Sequence, residues 1–131
     1  MLNSKKVVYF ILFLFLAQGY SQGINWITLE EVEEAQKTKP KNVIIDVYTN
    51  WCGPCKRSTP LVNELYSKMP NNVSMVIVDI DKGKDIASAL KVRSVPTMYN
   101  FINGAPMDSV VGASSDHITS FFRKTLARAS S

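Results

Sequence analysis

Only two cysteines and one histidine occur in these 131 residues, and that scarcity removes several kinds of site at once. A structural zinc centre takes about four nitrogen or sulfur ligands and a catalytic one about three, more than Cys52, Cys55 and the distant His117 readily supply. A purely structural disulfide is a weak reading too, because the loop between the cysteines is short and its closure removes little chain entropy. Excess charge of one sign is also scarce. Lys and Arg number 15 against 11 Asp and Glu, and without Lys5 and Lys6 the balance is 13 against 11. A net +2 is too small to imply nucleic-acid binding. No repeat, low-complexity tract or internal linker divides the chain, and 46% apolar content over this length suits one domain of about 100 to 110 residues. The longest apolar run, Val7 to Ala17, covers 11 residues, short of the roughly 20 that a membrane-spanning helix needs.

That run belongs to a patterned N-terminus. Lys5-Lys6 precede it, and the small and polar residues Gln18-Gly19-Tyr20-Ser21-Gln22 follow, which is the grammar of a secretory signal. The expected organisation is a signal peptide over 1–21, cut near Ser21, and a single domain over 22–131. An uncleaved membrane anchor is the alternative, since the run is very apolar and the cut site is not a clean Ala-x-Ala. Export matters for the cysteines: in an oxidising compartment a disulfide persists by default, and a dithiol needs a supply of electrons.

The two cysteines lie three positions apart in Trp51-Cys52-Gly53-Pro54-Cys55, directly after the apolar run Val43 to Tyr48. A strand ending in a turn that opens a helix puts Cys52 at the first turn, where unpaired N–H groups and the positive end of the helix dipole favour a thiolate. Cys55, one turn on, is placed to resolve a mixed disulfide. Around this pair the pattern predicts an edge strand at Ile24 to Ile27 and a helix opened by the capping box Thr28-Leu29-Glu30-Glu31. A buried strand follows at Val43 to Tyr48, then a helix from Lys56 to Lys68 bent at Pro60. Further strands fall at Val73 to Ile80 and Thr97 to Ile102, with a short helix at Asp85 to Leu90 between them. Asn103-Gly104 suits a tight hairpin returning through Asp108 to Val111. The last helix runs from Ser115 to about Ala129, with Ile118, Phe121, Phe122 and Leu126 toward the sheet. The order is that of an α/β fold with a central mixed sheet.

With these pieces placed, the chain resembles the thioredoxin family from about Ile24 to Ala129. Three islands carry the resemblance: Asp46 to Lys56 with Pro60 beyond, Val92-Arg93-Ser94-Val95-Pro96-Thr97, and Asn103-Gly104 with Val111-Gly112-Ala113. The resemblance implies the thioredoxin fold, helices on both faces of the sheet, and a cis peptide before Pro96. Without it, Pro96 reads as an ordinary trans turn proline. It also implies that Asp46 takes the proton of Cys55, and that Trp51, Gly53, Pro54, Val95, Pro96 and Gly112 form a shallow docking surface for substrates, with Tyr48 packed nearby. On its residue pattern alone, Asp46 is either a desolvated carboxyl suited to acid–base work or a strand-end cap, and the two aromatic residues are equally readable as packing. One departure stands out. Many relatives place a lysine near the buried carboxylate, and alignment on Asp81 puts Ile77 at that position.

The implied activity is a protein-disulfide reductase cycling Cys52 and Cys55 between dithiol and disulfide. Pro54 brings neither a charge nor an N–H to Cys52, so the disulfide is favoured and the protein is expected to act as a reductant. No metal or organic cofactor is called for. The expected partners are protein disulfides and a thiol electron donor, with a membrane thiol-electron transporter as the candidate in a periplasmic or secretory compartment. Two alternatives stay open: a thiol oxidase or isomerase on the same scaffold, and a non-catalytic docking module.

Overall fold

A computed structural model describes residues 24, 25 and 42–130. The expected signal over 1–21 and the expected helix after Thr28 lie outside the described residues. Five strands form one mixed sheet in the order β1-β3-β2-β4-β5. They are β1 (Ile24–Asn25), β2 (Asn42–Tyr48), β3 (Val73–Asp79), β4 (Thr97–Ile102) and β5 (Ala105–Val111). The helices are α1 (Gly53–Ser67), α2 (Lys84–Ala89) and α3 (Ser115–Ala129). β3 runs parallel to both β1 and β2, whereas β4 is antiparallel to β2 and β5.

β2 lies near the middle because its residues can be buried on both faces. Val43, Ile45 and Val47 join Val76, Val78, Ile86 of α2 and Phe101 on one side. Ile44 joins Val62 of α1 and Ile118, Phe121 and Phe122 of α3 on the other. Alternation therefore assigns each β2 side chain to one of two cores. Asp46 falls on the second face, with Ile44, and its register neighbours are Ile77 of β3 and Met98 of β4.

The hairpin forms as Asn103-Gly104 suggests. Both residues have positive φ, 53° and 80°, as a two-residue primed turn requires. Pairing resumes at once through Ile102 and Ala105, so β5 begins three residues earlier than expected. Register slips between Asn100/Asp108 and Phe101/Pro106, leaving Met107 as the extra residue of a bulge. Pro106 is tolerated because β5 is an edge strand among the described residues.

One core assignment is corrected. Leu126 is 41% exposed, and Thr125 is fully buried in its place. Ile118, Phe121, Phe122 and Thr125 follow the i, i+3, i+4, i+7 spacing of one helical stripe, and Leu126 sits a further 100° round it. The buried Thr125 hydroxyl is satisfied by donating to the Phe121 carbonyl at 3.1 Å.

Candidate active site

β2 ends at Tyr48, and four residues later Cys52 caps α1 from an extended conformation. Gly53 and Pro54 occupy the first helical positions, where a missing N–H costs nothing. Cys52 therefore stands at the cap itself, one step before the helix. Its Sγ accepts the Cys55 backbone N–H at 3.1 Å, and the two sulfurs are joined in a disulfide with Cα atoms 5.2 Å apart. That N–H is one of the orphan donors of a helix start. In the dithiol state the same donor and the dipole end favour negative charge on Cys52.

In the oxidised state Cys52 is only 4% exposed. The Val95 carbonyl oxygen lies 3.7 Å from its Sγ, and the Val95–Pro96 peptide is cis, as the resemblance implied. Gly112 closes this side by donating its N–H to the Pro96 carbonyl at 2.8 Å. Its φ of +93° is one that side-chain-bearing residues rarely adopt. Gly53 and Pro54 are exposed, Val95 and Gly112 are partly exposed, and Pro96 is buried. Pro96 thus shapes the loop, and its neighbours present the surface.

Cys55 hangs on the buried stripe of α1 with Ser58 and Val62, so it faces the sheet. Asp46 lies on the same side of that sheet as Ile44, the face on which Val62 of α1 packs. Burial alone lifts the Asp46 carboxyl from 3.8 to about 7. Ile77 lies directly across the β2–β3 register, so no cation from that position offsets the desolvation. Tyr48, two residues along the same face, has its phenol pushed up by burial and by the Asp79 and Asp46 carboxylates.

Trp51 is 70% exposed, so it is not part of the core. Its indole N–H donates to Asp81 Oδ2 at 2.9 Å, and Asn50 Nδ2 donates to Asp79 Oδ2 at 3.2 Å. Asp79 Oδ1 in turn accepts the Asp81 N–H at 2.9 Å. These two carboxylates tie the turn before Cys52 to the end of β3. Sequence reasoning missed Asn50 and Asp79 and used Asp81 only for alignment; the available signal was the Asp-Ile-Asp at the end of a buried strand.

The family model described as Thioredoxin matches residues 24–124. The chain is 37% identical over 101 residues to a thioredoxin H-type of Ricinus communis, covering 77% of this chain and 84% of that protein. It is 37% identical over 73 residues to a bifunctional thioredoxin reductase/thioredoxin of Mycobacterium leprae, spanning 56% of this chain and 16% of that protein. Among solved structures, reduced Schistosoma mansoni thioredoxin pre-protein superposes with a TM-score of 0.70 at 31% identity, over 79% of this chain and 98% of that one.

Proposed function

This chain belongs to the thioredoxin family and is a thiol–disulfide oxidoreductase; from that premise we propose that it is an exported protein working in the reducing direction on protein disulfides. One observation carries the reading: the Cys52–Cys55 disulfide at the start of α1, with the Cys55 N–H on Cys52 Sγ. In the proposed cycle the Cys52 thiolate attacks one sulfur of a substrate disulfide and displaces the other as a thiolate, which picks up a proton. A mixed disulfide results. The Cys55 thiol gives its proton to Asp46 and attacks Cys52 Sγ, so the second substrate sulfur leaves and Cys52–Cys55 closes. Two electrons pass from the cysteine pair to the substrate, and the closed ring is the state described above.

Direction is supported by Pro54, which occupies the first turn without an N–H of its own to spend on Cys52. Export is supported by Lys5-Lys6 ahead of the apolar run Val7 to Ala17. A reductant in an oxidising compartment needs recharging, so the proposed partners include a dithiol donor, for which a membrane thiol-electron transporter is our candidate. The reductase joined to a thioredoxin in the Mycobacterium leprae relative supports a dedicated protein donor in general. Equilibration against a defined glutathione buffer tests direction: a reductant should sit near about −270 mV, and a value between about −120 and −180 mV would assign the scaffold to oxidation or isomerisation. Insulin reduction tests catalysis, and a Cys52→Ser protein retaining full biological activity would support docking alone.

A further inference from the structure

β5 and α3 enclose an open groove of about 270 Å³, walled by Asp108 and Val111 on the strand and His117, Ser120 and Lys124 on the helix. Its charge is unbalanced. Asp108 is already committed, because Arg128 Nε and Nη2 donate to it at 2.8 and 3.5 Å. Lys124 is exposed and has no ion-pair partner among the described residues. The groove therefore holds an uncommitted cation beside a neutralised carboxylate.

Its strand wall is also an unpaired edge. Among the described residues β5 pairs with β4 on one side and with no strand on the other. The bulge at Met107 interrupts the ladder, so the regular part of this edge is Asp108 to Val111, about 10 Å long. Val111 is 59% exposed at the end of that edge, and a row of unpaired strand N–H and C=O groups invites pairing unless something covers it. The end in question leads to the redox site. Val111 is followed by Gly112, whose N–H holds the Pro96 carbonyl at 2.8 Å, and Val95 lies against Cys52.

We propose that this groove receives the extended chain flanking the target cysteine of an acidic protein substrate, pairing along the β5 edge and setting a carboxylate on Lys124. The inference rests on the disulfide-reductase reading and deepens it by naming a substrate class. Main-chain pairing along an edge supplies affinity without selectivity, and the side-chain pocket supplies the preference. The His117 ring and Ser120 hydroxyl add hydrogen-bonding groups to the same wall.

The test uses the full-length protein and two disulfide peptides identical but for glutamates or lysines flanking the target cysteine. At low salt the wild-type kcat/KM should favour the acidic peptide about 3- to 10-fold, the scale of a single partly exposed ion pair, and the preference should shrink as salt rises. Lys124→Glu should abolish or invert the ratio, and Lys124→Gln should bring it near one. Arg123→Glu changes the same net charge on an exposed α3 residue outside the groove and should shift the ratio far less. A ratio near one in the wild type, or equal shifts from the Lys124 and Arg123 reversals, overturns the groove and leaves the reductase reading standing. Failure of the wild type to reduce either peptide overturns both. A concentration-dependent dimer in sedimentation velocity that Lys124→Glu dissociates would give the groove to a second copy, and would also overturn the proposal.

Discussion

Replacing Asp46 by asparagine keeps the size and polarity of the side chain and removes only its ability to ionise. The carboxyl sits in β2 between Ile77 and Met98, and burial raises it from 3.8 to about 7. Between those two values the unfolded chain has released this proton and the native chain still holds it. The native state then binds more protons, so stability falls as pH rises from about 4 to about 7 and levels off above. A rise from 3.8 to about 7 corresponds to about 4 kcal/mol at pH 8, and to about 2 kcal/mol where water reaches the half-buried residue. Guanidinium unfolding of the oxidised protein, followed by circular dichroism from pH 4 to 8.5, reads this directly. The Asp46→Asn protein should match the wild type near pH 4 and exceed it by about 2 to 4 kcal/mol at pH 8. A stability difference that stays flat across this range would show that Asp46 is not desolvated in the folded protein, and the proton-acceptor role would lose its physical basis.

Placing a cation across the ladder should act in the opposite sense: Ile77→Lys should lower the Asp46 carboxyl by about 1 to 2 pH units, visible as a shift to lower pH in the profile of insulin reduction. Cys55→Ser should stop turnover but accumulate a covalent adduct with substrate, detected by mass spectrometry and reversed by dithiothreitol, whereas Cys52→Ser should form none. Asp79→Ala releases Asn50 and the Asp81 N–H from their acceptor; it should cost about 1 to 2 kcal/mol in urea unfolding and change the Trp51 fluorescence, since Asp81 holds the indole.

The parts legible in the sequence are those decided locally. β4 and α3 fall at the expected Thr97–Ile102 and Ser115–Ala129, because alternation, helical spacing and the Ser114 cap mark their ends. The Cys52/Cys55 pair was readable because three-residue spacing after a strand has few other uses. What escaped depended on distant partners or on angle. Cys52 is 4% exposed in the disulfide state, and the Val95 carbonyl beside it comes from 43 positions away in the chain. Thr125 displaced Leu126 because helical phase outranked side-chain polarity once Phe121 offered a carbonyl. Asn50 and Asp79 stand 29 positions apart: the Asp-Ile-Asp marks an acidic strand end, but nothing in it names Asn50 as the partner.

The cost of Asp46 explains its place. A carboxyl that loses stability on ionising is an inefficient structural device, and an asparagine or an apolar residue would serve the strand better. Its value in the proposed cycle comes from the same desolvation: an acceptor near neutrality takes a proton efficiently at working pH, whereas a solvated aspartate near 3.9 is too weak a base. Ile77 strengthens this argument. A lysine at that register position would stabilise the ionised carboxylate and relieve the native state, but it would also lower the proton affinity that the resolving step uses. With Ile77 and Met98 as neighbours, Asp46 stays poised between its two forms on the face of the sheet that α1 covers, where Cys55 also lies. In the proposed cycle the proton taken as the ring closes would stay on that face of the sheet, to be returned to Cys55 when a donor opens the ring again.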